Sequence, residues 1–231
     1  MRRYTAAALA ALAIAGTAHA QTVTLDEGSY RISIGGKEVG TETFSIRQNG
    51  TGESAVIIAV GRVVLDADKG PQEVSSELQV AGRTWRPAAY EVRVQGAGAE
   101  RITGRIVGSR FSAQIVSPAG ESMREYLAGE GAVLIDDGVA HQYYFLARRL
   151  TGDAARIPVI IPRQNRQVSA QVSGAGSETL TIGTQKVAAR KLTVAPAGLP
   201  VRTVWVDDQG RVLRLEISGS GFVAQRVAAP R

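Results

Sequence analysis

The stretch VRTVWVDDQGRVLRLEI, residues 201–217, sets the plan on which the rest of the chain is read. Its second half alternates strictly. Leu213, Leu215 and Ile217 fall on one face and Val212, Arg214 and Glu216 on the other, the two-residue period of a half-buried strand. Asp208-Gln209-Gly210 reads as a three-residue hairpin loop, with Gly210 in the left-handed conformation that closes a type I turn with a G1 bulge. This register sets Trp205 opposite Leu213, Thr203 opposite Leu215 and Val201 opposite Ile217 on the inner face, while Arg202 meets Glu216 outside. A four-residue loop would bury Arg202 beside Leu215. Pairing of opposite charges and exclusion of a charge from the core select the three-residue loop.

Working outward, residues 29–34 and 41–47 alternate around GGKEVG at 35–40, a first hairpin with a glycine-rich turn. That turn lacks the Gly-Lys-Ser/Thr ending of a phosphate loop and precedes no helix. Further strands are expected at 54–65, 73–80, 85–95, 101–107 and 110–116. Gly108-Ser109 between the last two suits a type II′ turn. Later strands are expected at 132–135, 157–161, 167–172, 179–182, 187–194 and 222–227. Pro158 and Pro162 make their strand an edge or an interrupted one, because proline donates nothing to a ladder.

The pattern breaks once, at residues 136–150. Val139, Tyr143, Leu146 and Leu150 follow at spacings of four, three and four, one face of a helix. Asp137 is placed as its N-cap, Arg148 and Arg149 lie in the last turn, and Gly152 follows as a stop. Many antiparallel strands and one helix predict a mainly β, single-domain protein. Its sheet is strongly curved, a half-open or closed barrel, with the helix on the concave side.

The first twenty residues carry Arg2 and Arg3, an apolar run over 6–16, and Ala18-His19-Ala20 as a cleavage site, the marks of a secretory signal peptide. The run is short of the roughly 20 residues a bilayer span needs, and no later stretch approaches that length. The expected product is a single β-rich domain, residues 21–231, that is periplasmic or secreted and has no transmembrane segment. Absence of cysteine excludes disulfides and thiolate metal sites. The net charge is +6, lowered by loss of the two leader arginines, and the basic residues are scattered with few aromatics among them. That excludes a nucleic-acid binder.

His141 is the one histidine outside the leader, so a histidine-based zinc site is not expected, and no cofactor is. A hydrolase using His141 or carboxylates would lack the Gly-x-Ser-x-Gly elbow, and His141 falls off the apolar stripe, at a surface or rim position. Asp136-Asp137 and Asp207-Asp208 precede a helix start and a turn, where aspartate serves structurally. Tyr143, Tyr144 and Phe145 concentrate aromatics in a chain only 5% aromatic. With so few large side chains a curved sheet leaves interior space, which predicts an apolar pocket between helix and hairpin. Its candidate lining is Val139, Tyr143, Tyr144, Leu146, Leu150 and Trp205.

YRISIGGKEVG at 30–40, HQYY at 141–144, and VWVD at 204–207 followed by GRVL at 210–213 resemble exported bacterial domain-of-unknown-function proteins. Those are related in fold to Lol-type periplasmic lipoprotein carriers. The resemblance implies an incomplete β-barrel covered by helix, whose concave apolar surface holds acyl chains. It points to a non-enzymatic carrier of an apolar small molecule or lipid. The other readings are an envelope protein that offers its sheet edge to a partner strand, and the hydrolase.

Overall fold

The computed structural model describes residues 22–67 and 70–231, and the expected leader lies outside the described residues. The first eight strands are β1 (Thr22–Ile34), β2 (Lys37–Asn49), β3 (Val56–Ala67), β4 (Gly70–Ala81), β5 (Pro87–Gly96), β6 (Glu100–Val107), β7 (Arg110–Ser117) and β8 (Gly120–Leu127). After β9 (Val133–Leu134) comes one short helix, α1 (Tyr143–Ala147). The remainder are β10 (Ala154–Ile161), β11 (Arg166–Ile182), β12 (Gln185–Pro196), β13 (Arg202–Val206), β14 (Val212–Ile217) and β15 (Phe222–Arg226). All belong to one sheet, ordered β8-β7-β6-β5-β4-β3-β2-β1-β15-β14-β13-β12-β11-β10-β9. Two meanders are thus joined where β1 pairs with β15. Every neighbouring pair is antiparallel except β9 with β10, which are parallel over Val159–Val133 and Ile160–Leu134.

The sheet curls around its contents. β5 and β13 are seven strand spacings apart, about 34 Å in a flat sheet. Yet Tyr90 of β5 bonds Asp136, and Arg202 of β13 reaches Asp137, the next residue. The two ends of the sheet also meet, but through side chains. Gln167 of β11 accepts from the Leu127 amide (2.9 Å) and donates to the Leu127 carbonyl (2.5 Å), and Tyr126 bonds Asn165 (3.1 Å). No ladder joins β8 to β9, so the sheet is open and the closed-barrel alternative is not what forms.

Local turn chemistry follows the sequence closely. Gly35 and Gly36 both have positive φ and form a two-residue turn, so residues 37–40 join β2. Gly108 has φ 59 and Ser109 does not share the left-handed region, as a type II′ turn requires. β10 lies one strand from the sheet's end, and beyond it β9 pairs over only two residues, a position that tolerates Pro158. β8 is absent from the expected strands. It is exposed on both faces along most of its length, so no alternation marks it.

The organising hairpin departs from expectation beyond its turn. Asp207 fixes the loop by accepting from the amides of Gln209 (3.0 Å) and Arg211 (2.8 Å), and Gly210 takes φ 73. Next to the loop the expected register holds, with Val206 opposite Val212. Leu213 is then an extra residue, and from there Trp205 faces Arg214, Val204 faces Leu215 and Arg202 faces Ile217. A bulge of this kind moves every later side chain of the partner to the other face. Arg202 is therefore inside and 1% exposed. Trp205 is outside, in a small separate cluster with Leu213, Ile182 and Ala189. Lys191 and Arg214 lie over its ring, and its indole N–H bonds Glu178.

The expected 136–150 helix contracts to the five residues of α1. Gly138 at φ 76 interrupts it, and the amides of Ala140 and His141 bond a carboxylate from β2 instead of helix carbonyls. Asp137 is not the N-cap; Gln142 occupies that place without a side-chain capping bond. No described helix is long and apolar enough to cross a membrane.

Candidate functional site

Residues 128–150 leave the end of β8, enter the concave side and fill it as a plug. Val139, Tyr143, Tyr144, Phe145 and Leu146 are each at most 2% exposed, and Leu150 is 6% exposed. A segment buried on all sides has no solvent face, so the single stripe expected from its spacing understates its burial. Of the six expected pocket residues, the structure brings five together here and sets Trp205 on the opposite face of the sheet.

Three polar contacts pin the plug, two of them fully buried. Glu42 of β2 accepts from the amides of Ala140 (2.7 Å) and His141 (3.0 Å), and it bonds His141 Nδ1 at 2.6 Å. The His141 ring stacks on Phe44 at 5.6 Å between centroids and lies against Gly61, where any Cβ would run into it. His141 is fully buried, which corrects its expected rim position. Its Nε2 has no hydrogen-bond partner among the described residues.

The second contact is Asp136, which accepts from the Tyr90 hydroxyl at 2.7 Å, while its own amide donates to Gln142 Oε1 at 2.6 Å. Burial raises the Asp136 carboxyl to about 7, against the opposing pull of Arg163 and of the Tyr90 bond. The third is Arg202, which lies 3.4 Å from Asp137 Oδ1 and donates to the Pro200 carbonyl. Burial pushes the Tyr143 hydroxyl up to about 12, with Arg202 pulling the other way. Asp136 is thus an interior anchor and Asp137 a half-buried partner of Arg202, and neither starts a helix.

At the other end an aromatic latch holds α1. Trp85, in the left-handed region at φ 55, lies 6.0 Å from Tyr144 and 6.2 Å from Phe145. A bulky residue in that region is strained by about 1–3 kcal/mol, so its surroundings must hold it there. Arg148 covers both the Trp85 and Tyr144 rings and bonds the Gln209 carbonyl at 2.6 Å.

Sequence reasoning passed over Glu42, Gly61 and Trp85. Glu42 did carry a signal, because it shares strand parity with the inward Phe44 and Ile46. Gly61 and Trp85 carried none that pattern reading detects. Five pockets among the described residues have volumes of about 240 to 620 Å³, and none of these five is lined by the six expected residues. The expected apolar pocket is filled by the plug.

The site therefore defines a plugged, open, curved β-sheet domain. It is similar to the crystal structure of a β-barrel-like protein of domain of unknown function DUF1849 from Brucella abortus. The TM-score is 0.47, with 10% identity over 88% of this chain and 96% of that one. No family model matches the chain, and no curated protein matches it.

Proposed function

We propose that this is a non-enzymatic carrier, exported to the periplasm or beyond the cell, whose concave face accepts an apolar ligand or a partner's lipid moiety when the plug moves aside. The supporting observation is the make-up of the plug. It lies on an apolar wall, yet it has five residues of helix and two of strand pairing, and side-chain bonds from the sheet supply much of its attachment. Such a segment can leave the wall without breaking any ladder beyond the two β9 residues. An emptied wall of aliphatic side chains stays dry and takes up apolar molecules. The resemblance to Lol-type carriers, read from the sequence, points the same way.

A second reading, an envelope assembly protein, draws on β8. Among the described residues that strand pairs only with β7, and Met123 and Leu127 on its outer side are 62% and 60% exposed. Glu121, Arg124 and Glu125 on the same strand are the charges by which edge strands discourage pairing, which places this reading second.

An equilibrium titration with an environment-sensitive fluorescent fatty acid tests the carrier. Saturable binding of about micromolar affinity or better is expected, worth about 8 kcal/mol. Leu146→Arg should weaken it in protein whose circular dichroism shows a folded sheet. No saturable binding by the wild type would overturn the carrier and leave the sheet-edge reading ahead.

A further inference from the structure

One pocket, of about 620 Å³, opens at the rim where the plug enters and leaves the sheet. Its walls are Thr84 and Arg86 from the β4–β5 turn, Gly108 and Ser109 from the β6–β7 turn, the Gly129-Glu130-Gly131 start of the plug, and Arg149 at its end. Two arginines therefore face one pocket from different elements. Arg86 donates to the carbonyls of Gly108 and Ala128, and Arg149 to the carbonyl of Trp85 at 2.8 Å. Carbonyl bonds hold a guanidinium in place but leave its charge unneutralised.

The contrast with the other inward arginines is consistent. Arg226 is paired with Asp26 (2.7 Å), Arg202 with Asp137 (3.4 Å) and Arg163 with Glu100 (3.5 Å). Among the described residues, neither Arg86 nor Arg149 has a carboxylate within ion-pair distance; the Nε of each is buried without a hydrogen bond, a feature they share with Arg163 and Arg202, so the missing carboxylate is what sets them apart. Glu130, exposed on the pocket wall, offsets one charge of two at most. Burial lowers the Arg149 guanidinium from its ordinary value, as expected for a half-buried cation short of a counter-charge. Paired guanidinium forks suit planar or tetrahedral oxyanions, and glycine loops let a head group come close to the backbone.

We infer that this pocket takes the anionic head, a carboxylate or a phosphate, of an amphiphile whose apolar tail occupies the part of the concave face vacated by α1, while the two ends of the plug stay at the rim. The inference rests on the carrier reading and narrows its cargo to anionic amphiphiles. It also gives displacement a sequence: the head engages Arg149 at the plug's end, and the tail follows where α1 lay.

The test compares oleate, oleyl alcohol and inorganic phosphate on the wild type and on Arg149→Gln and Arg86→Gln, with melting curves to establish that each variant is folded. Oleate is expected to bind the wild type at least about tenfold more tightly than oleyl alcohol, the scale of a charge-assisted contact. Arg149→Gln should bring the two close to equal by weakening oleate far more than oleyl alcohol. Equal affinities in the wild type would overturn the inference and leave the carrier standing. A preference for oleate that survives both substitutions would overturn the assignment to this pocket. Phosphate binding that depends on Arg149, with neither amphiphile bound, would support an oxyanion site and overturn the carrier.

Discussion

Glu42→Ala is expected to destabilise the fold by about 3–5 kcal/mol, the usual result of removing one member of a buried polar pair. One carboxylate serves three donors here, the amides of Ala140 and His141 and the His141 ring, all inside the sheet. Alanine strands all three where water does not replace the bonds. Glu42→Gln keeps one acceptor oxygen and should lose distinctly less, because the backbone amides still find a partner. Urea unfolding of the three proteins gives the comparison. A loss below about 1 kcal/mol for Glu42→Ala would show that the plug is held by apolar packing alone.

The second large effect is a pH dependence set by Asp136. Its folded-state carboxyl lies at about 7, above the ordinary value of 3.8, so between those values the native protein binds a proton that the unfolded chain does not. Stability from this group is therefore fully present below about pH 4 and is lost as pH rises to about 7. Asp136→Asn removes the titration and keeps an acceptor for the Tyr90 hydroxyl. The stability of wild type minus that of Asp136→Asn should fall by a few kcal/mol over that window and stay level above it. A difference that does not change with pH would mean that Asp136 is ionised and compensated in the folded protein.

Much of the architecture was legible because strand alternation and turn residues are local properties. Gly35-Gly36, Gly108-Ser109 and Asp207 to Gly210 form turns where their chemistry calls for them. The Leu213 bulge was not legible, because the residues alternate unbroken through it, whereas in the fold Leu213 and Arg214 both lie on the outer face and the strand's facing reverses there. That one residue moved Trp205 outward and Arg202 inward. The rule that charge stays outside failed at Arg202 because Asp137, more than sixty residues earlier in the chain, comes to meet it.

The candidate site was half legible. The aromatics at 143–145 and the Val139, Leu146 and Leu150 positions do lie on the concave side. Their spacing suggested a longer helix, because periodicity cannot register that Glu42 takes two of the amides a helix would need. The pairing of Glu42 with His141 spans ninety-nine positions, and nothing local marks it.

The central claim, that the plug gives way to an apolar ligand, is tested most directly through Trp85. The chain has two tryptophans, so Trp205→Phe leaves Trp85 as the sole indole, packed against Tyr144 and Phe145 of α1. Titrating this variant with non-fluorescent oleate should shift the Trp85 emission in a saturable way, with the same midpoint as the binding curve. Emission that stays constant at oleate concentrations that saturate the protein, or an absence of saturation altogether, would contradict the account.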